Sequence, residues 1–323
     1  MIVDDVWREQ DLRPFLHGGR NTARLMTTRI SGVLPADAFS QPVDAMRSGE
    51  ARALLAGGLP PDQVISRSKE LGNLAGRLGE WAQLLKLVNG FLRLCVIDGG
   101  QSLREAVADA NARLTEEGLD SFSADDEGDR TKAVARTINL SLGLLDDKQR
   151  ARFAELAVFP EDADIPIGIV ARLWRTAGLS DIRTKDLLVK LQNLSLLLGL
   201  DLNARTLRFH DTIRRFLADQ AGNDGLVAQH RRLVRALDDF CGSPEADAPS
   251  RRYYYLYLPH HLAVAGERER LDALLLDPGW LKEKLAATGT PPVAGRRLST
   301  AWQRRPCEFH RPDAGADRRY LRA

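Results

Sequence analysis

Two neighbouring carboxylates are the first residues of this chain that could do chemistry. Asp4 and Asp5 stand inside the apolar segment Ile2–Trp7, which reads I-V-D-D-V-W. This pattern predicts a buried β-strand that delivers both acids at its carboxyl end, where open α/β sheets place their ligands. Such a pair can hold the water shell of a Mg²⁺ ion and polarise one of those waters, with Asp4 as the water-mediated ligand. A strand that simply ends in a turn explains the same residues.

A second segment follows about twenty residues later, at Arg24–Arg29, which reads R-L-M-T-T-R. It predicts another short strand that closes on polar residues, and Arg29 could bind a phosphate through two parallel hydrogen bonds. In this order and spacing the two segments resemble the Walker B and sensor-1 segments of the NB-ARC nucleotide-binding module. That module belongs to the STAND (AP-ATPase) signalling proteins, which include plant resistance proteins and the apoptotic-protease-activating-factor family. Pro42–Met46 then resembles the last sheet strand of the module, followed by a helix from about Gly49 to Leu55.

The family's phosphate-binding loop has no counterpart in the printed sequence. In the family a P-loop, G-x-x-x-x-G-K-[ST], precedes Walker B, whereas no Gly-Lys dipeptide occurs in these 323 residues and three residues precede Asp4. We therefore expect a chain truncated before Walker B. The resemblance implies ADP or ATP with Mg²⁺ as cofactor, held through Asp4, Asp5 and Arg29. Without the P-loop we expect weak or lost nucleotide binding and no hydrolysis, so not an enzyme.

A helical region follows, with apolar residues three and four apart from about Asp62 to Asn89. Within it Leu78–Leu85 resembles the family's G-x-P motif at the head of a core helix, where the Pro packs near the adenine. Ala82 stands at that Pro position, so the resemblance implies a place for Ala82 beside the nucleotide. An ordinary core helix is the alternative. A further amphipathic helix is predicted over Gln101–Leu114, and the acidic stretch Gly118–Arg130 predicts a linker.

The next region predicts a winged helix, because three or more helices precede a short hairpin. The predicted helices contain Val134–Leu145, Phe153–Val158, a start at Pro166 and Lys185–Leu196, and the hairpin turns at Asn203–Arg205. Phe209-His210-Asp211 then opens another helix and resembles the family's M-H-D motif. The resemblance implies that His210 contacts the diphosphate of ADP, which a helix N-terminus also favours. A plain helix cap is the alternative.

The C-terminal part resembles the helical segment that precedes a WD-repeat propeller in bacterial and animal members of the family. After a linker at Gly242–Ser250, the resemblance covers Tyr253–Leu281. His260 and His261 are adjacent, and we expect that neighbours on one helix do not face the same metal. From about residue 289 the chain becomes an unaligned tail with eight Arg and no Lys. We expect a propeller lost downstream, and a natural basic tail is the alternative.

The expected fold is mainly α with a small α/β remnant: a partial P-loop-type sheet, a helical subdomain, a winged helix and the start of a helical domain. The predicted divisions are residues 1–57, 58–117, 130–240, 251–288 and the tail 289–323.

Composition limits the partners. Lys and Arg total 46 and Asp and Glu total 44, so the net charge of +2 gives no strong field for nucleic acid. No apolar run approaches the roughly 20 residues of a membrane span, and the scattered cysteines fit the cytoplasm. We expect a partial nucleotide switch of signal transduction that binds proteins or itself through its helical modules. The alternatives are a winged-helix DNA-binding regulator, using the helix Lys185–Leu196 with Arg205 and Arg208, and a non-functional gene fragment.

Overall fold

The chain is mainly helical, as its apolar periodicity predicts. The computed structural model describes residues 1–18, 21–28, 30–41, 46–119, 127–161, 163–238, 240 and 246–289. Helices make up 66% of the residues and the sheets are small, which confirms the expected fold class. The chain divides into two units, Met1–Met46 and Arg47–Ala323. Each is described by itself.

The first unit is built on two parallel strands. β1 (Ile2–Val3) pairs with β2 (Leu25–Met26), and α1 (Glu9–Leu16) is the crossover segment that a parallel pair requires. The buried centre of this unit contains Leu12 from α1 and Val33 from a single 3₁₀ turn. The carboxyl ends of β1 and β2 therefore meet at one edge.

The prediction that Ile2–Trp7 forms a buried strand is wrong in part. β1 covers two residues, and Ile2 is 72% exposed. Successive side chains of a strand point to opposite faces. Val3 and its register partner Met26 pack on the buried centre, whereas Ile2 and its partner Leu25 face the other way. One face of the strand pair is packed and the other is exposed.

The second unit begins with a group of helices centred on α5. The elements are α2 (Ser48–Leu55), α3 (Pro61–Ser66), α4 (Ser68–Arg77), α5 (Ala82–Arg93), a π-helical turn (Leu94–Asp98) and α6 (Leu103–Glu116). The α5 helix packs against α2 and α6 through buried residues that include Leu84, Leu85 and Val88. Arg77 ties α4 to α6, because its guanidinium donates to the backbone carbonyl of Asn111 at 3.0 Å.

The helical region predicted from about Asp62 to Asn89 spans three helices. Gly79 and Glu80 have φ values of 62° and 53°. A right-handed helix cannot continue through such residues, so α4 ends and the chain changes direction before Ala82. The core helix α5 begins at Ala82, within the predicted segment Leu78–Leu85.

Helices and a small antiparallel sheet follow. The helices are α7 (Glu127–Leu142), α8 (Asp147–Ala154), which continues in a 3₁₀ turn (Glu155–Val158), α9 (Ile167–Arg175) and α10 (Asp181–Asn193). The strands β3 (Ile165–Pro166), β4 (Gly199–Asp201) and β5 (Thr206–Arg208) form the sheet in the order β3-β5-β4. Pro166 is the residue that precedes α9, and the hairpin turns at the predicted place. The winged-helix interpretation of this region stays a prediction.

The C-terminal helices are α11 (Asp211–Ala236), α12 (Ala248–Ala265), α13 (Arg268–Leu275) and α14 (Pro278–Thr288). Helix α11 is interrupted at Gly222, whose φ of 63° and ψ of 174° are not helical. The linker predicted to reach Ser250 ends earlier. Asp247 caps α12 by accepting a hydrogen bond from the backbone N–H of Ser250 at 2.9 Å.

Several predictions fall outside the described residues. These are Arg29, residues 42–45 of the predicted last strand, residues 120–126 of the acidic stretch and the tail from residue 290. The predicted domain limits remain predictions.

Candidate functional site

The two acids predicted to serve a Mg²⁺ ion lie at the joint carboxyl edge of β1 and β2. Thr27, which follows β2, connects them: its hydroxyl donates to the carboxylate of Asp4 and accepts the backbone N–H of Asp5 at 2.9 Å. Trp7 donates its indole N–H to the carboxylate of Asp5 at 2.9 Å. The structure therefore brings together the D-D-V-W and R-L-M-T-T-R segments through a threonine that the sequence reading did not single out.

The strand edge leaves both carboxylates open to solvent. Asp4 and Asp5 are exposed, and Asp5 has a φ of 55°, a conformation that Asp tolerates better than most residues. Thr28 holds the following turn, because its hydroxyl donates to the carbonyl of Val6 at 2.6 Å. Exposed carboxylates in fixed positions can bind a hydrated cation.

The other two predicted nucleotide contacts lie at the starts of two helices in the second unit. Ala82 is the first residue of α5, and His210 directly precedes α11. The two starts are joined by a hydrogen bond from the side-chain amide of Gln83 to the hydroxyl of Thr212. Residues 129 positions apart in the sequence are thus in contact. No local pattern could have indicated Gln83 or Thr212.

His210 stands at the N-cap position of α11, and its side chain makes no capping hydrogen bond. Its Nδ1 lies 3.1 Å from Oδ1 of Asp211, and the ring is 42% exposed. The same Asp211 oxygen accepts the backbone N–H of Thr212 at 2.7 Å. The imidazole is therefore oriented by a carboxylate while its other nitrogen remains available.

This arrangement sets a condition on any anion that His210 binds. An ionised carboxylate is only an acceptor, so Nδ1 of His210 carries the hydrogen that faces Asp211. The Nε2 atom is then the ring nitrogen through which His210 can contact an anion. Two helix N-termini favour an anion here, whereas the charge of Asp211 opposes it.

The cationic side chains named for the DNA-binding alternative are largely engaged within the protein. Lys190 donates to the carbonyl of Leu144 and to Gln149, both at 2.9 Å. Arg208 pairs with Asp164, and Arg205 pairs with a second carboxylate at 3.2 Å. Because nucleic-acid binding depends on cations free to meet phosphates, these pairs disfavour that alternative.

Three histidines come together in the C-terminal helices. One ring nitrogen from each of His230, His260 and His261 lies within 4.8 Å of the others. Adjacency on one helix therefore does not keep a nitrogen of His260 away from one of His261, contrary to the expectation that they do not face the same point. In the described part of the chain, no helix is long and apolar enough to span a membrane.

The known proteins to which this chain is similar include apoptotic protease-activating factors. The family model described as the APAF-1 helical domain matches residues 226–294. Apoptotic protease-activating factor 1 of Danio rerio is 26% identical over 300 residues, which cover 90% of this chain and 22% of the relative. The Rattus norvegicus protein of the same name is 24% identical over 163 residues, 49% of this chain and 13% of the relative. The chain spans about a fifth of the length of the first of these relatives.

These matches include the C-terminal helices and extend over most of the chain. They confirm the resemblance that the motifs indicated: over most of its length the chain is similar to proteins of the apoptotic protease-activating factor type.

Proposed function

We propose that the chain contributes to an NB-ARC-type nucleotide switch in which the starts of α5 and α11 together receive the diphosphate and base of ADP. The hydrogen bond between Gln83 and Thr212 carries this proposal, because it sets the two helix N-termini side by side. His210 would donate from Nε2 to a phosphate, and Ala82 would lie beside the base. Asp4 and Asp5 would serve Mg²⁺ at the strand edge of the first unit.

The 323-residue chain by itself should bind nucleotide weakly and not hydrolyse it. The sequence holds no Gly-Lys of a P-loop. Without that loop's backbone N–H groups and lysine, each contact of about 0.5–3 kcal/mol, the loss amounts to several kcal/mol. At about 1.4 kcal/mol per tenfold, affinity falls by roughly a thousandfold or more. Nothing would then hold a triphosphate in line for transfer.

Binding of ADP at millimolar concentration is best tested with a method that reports on individual residues. ADP titrated to several millimolar into the isotope-labelled chain should shift the NMR signals of the Gln83 side-chain amide and of the first turn of α11. His210→Gln should reduce these shifts, while His17→Gln, at an exposed histidine of the first unit, should leave them unchanged.

Two results would contradict the proposal in different ways. Stoichiometric ADP binding at micromolar concentration in calorimetry would show that the P-loop is dispensable. The absence of any shift at the two helix starts would show that they do not receive the nucleotide.

Protein partners are a further part of the proposal, with self-association through the helical modules and a cytoplasmic location. Large apolar side chains on the last helices support an interaction surface: Leu276 is 80% exposed and Leu285 is 53% exposed. A gene product without function remains the alternative. Cooperative unfolding of the purified chain would argue against it.

A further inference from the structure

The histidines of α11 and α12 form a buried cluster that the proposed nucleotide switch does not use. His230 is 3% exposed and His261 is 0% exposed, while His260 is half-buried. Their ring nitrogens converge, with one nitrogen from each residue within 4.8 Å of the other two. Buried histidines that converge on one point from two helices have the arrangement that a metal ion requires.

The central distance suits a tetrahedral ion. Nδ1 of His261 and Nδ1 of His230 are 3.1 Å apart. Two nitrogens bound tetrahedrally at about 2.0–2.1 Å from zinc lie about 3.3–3.4 Å apart. His260 lies beside the same pair, with its ring centroid 5.6 Å from that of His230 and 5.4 Å from that of His261. One nitrogen of His260 lies within 4.8 Å of a nitrogen of each of the other two rings.

Burial disfavours the protonated form of all three rings. It lowers the pKa of His230 to about 3, and the nearby His260 and Arg214 add to the effect. Burial likewise lowers the pKa of His260 and, further, that of His261.

Tyr253 would orient one of the metal ligands, His261, through a hydrogen bond from outside the coordination shell. Its hydroxyl lies 2.9 Å from Nε2 of His261. A phenol oxygen can accept as well as donate, so His261 can carry its single hydrogen on Nε2 toward Tyr253 and free Nδ1 for the ion. Metal-binding histidines usually have such a hydrogen bond to their second nitrogen, which fixes the ring and its tautomer.

The donor set decides which ions fit. Three imidazole nitrogens favour zinc and its transition-metal neighbours over Mg²⁺ and Ca²⁺, which need oxygen ligands. The neighbouring Arg214 is paired with Glu161 at 3.1 Å, although its positive charge still acts on His230 and His260. A water in the fourth position, which zinc readily ionises to hydroxide, would reduce the charge of the occupied site.

We infer that His230, His260 and His261 form a three-histidine site for a zinc-type divalent ion that ties α11 to α12. The tie would join the helix that begins at His210 to the helices that follow it.

The test uses the full chain after treatment with EDTA and dialysis. One equivalent of Co²⁺ should give the visible absorption of a tetrahedral nitrogen-ligated ion, and Zn²⁺ should displace it with a stoichiometry of one per chain. At about a hundredfold excess over its Kd, Zn²⁺ should raise the Tm by about 5 °C or more, whereas Mg²⁺ should not.

Variants separate the site from adventitious binding. His260→Gln, at the half-buried position, should weaken Co²⁺ binding by more than about tenfold while the chain stays folded. Tyr253→Phe should weaken it by about 10–100-fold. His17→Gln is the matched surface control and should bind as the unaltered chain does.

Absence of the Co²⁺ band in the unaltered chain would overturn the inference and leave the cluster as a buried hydrogen-bond network. Equal binding by His260→Gln and the unaltered chain would overturn it as well. Neither result affects the nucleotide proposal, because that proposal is tested by the NMR signals of other residues.

Discussion

The close approach of α5 to the end of α10 yields a sharp stability prediction at Gly90. Gly90 lies inside α5, and a Cβ placed there would be 2.6 Å from the backbone carbon of Leu194 and 2.9 Å from the carbonyl oxygen of Asn193. Both are backbone atoms, so no side-chain rotation relieves the overlap. Gly90→Ala therefore forces the two helices apart.

Two opposing effects set the magnitude. Alanine in place of glycine inside a helix gains about 1 kcal/mol in helix propensity. Overpacking of a close contact costs about 1–3 kcal/mol, and rigid backbone neighbours place this case at the upper end. We expect a net loss of about 1–2 kcal/mol in the free energy of unfolding for Gly90→Ala.

Gly72 in α4 offers the matched control, since a Cβ there would meet nothing within 4 Å. Gly72→Ala should gain about 0.5–1 kcal/mol. Urea unfolding followed by circular dichroism at 222 nm measures both variants on the full chain. The midpoints should move in opposite directions with little change in the m value. A Gly90→Ala chain as stable as the unaltered one would refute the view that this contact is rigid.

Three further predictions concern a buried charge, a buried thiol and an exposed leucine. Glu155→Ala should lower the free energy of unfolding by about 3 kcal/mol, because it leaves Arg152, 2.5 Å from the carboxylate, without its buried counter-ion. Asp147→Ala, which removes a carboxylate that is 93% exposed, should cost under about 1 kcal/mol. Burial raises the pKa of the Cys95 thiol. In a chain whose other cysteines are replaced by serine, alkylation of Cys95 at pH 8 should therefore be at least about tenfold slower in the folded state than in urea. Equal rates would contradict this. Leu276→Lys should reduce self-association in sedimentation velocity with stability unchanged within about 0.5 kcal/mol, and an unaltered sedimentation profile would argue against this surface.

Local signals predicted much of the fold. The His210-Asp211 helix start, Pro166 before α9 and the turn near Asn203–Arg205 all depend on residues close in sequence, and the structure has each of them. Periodicity predicted the core of α5 correctly. Periodicity does not locate the break at Gly79 and Glu80, where a positive φ ends α4 without interrupting the apolar spacing.

The sequence predicted which residues belong to the candidate site, but not which residues are in contact there. Ala82 and His210 came from resemblance, yet the bond that brings their helices together joins Gln83 to Thr212 across 129 positions. The histidine cluster was missed for a related reason. The expectation considered only the neighbours His260 and His261 on α12, whereas the third ring comes from α11. Nothing in the sequence around His230 indicates its contacts with them.

The interruption at Gly222 divides α11 into two helical segments that meet at one residue. His210 directly precedes the first segment, and His230 lies in the second. A Cβ at Gly222 would meet nothing within 4 Å, so the glycine is required by its backbone angle and not by lack of space. A continuous helix would carry any tilt of its first turn undiminished to its last. Because the helix is broken at one residue, a tilt of the first segment need not be transmitted to the segment that carries His230.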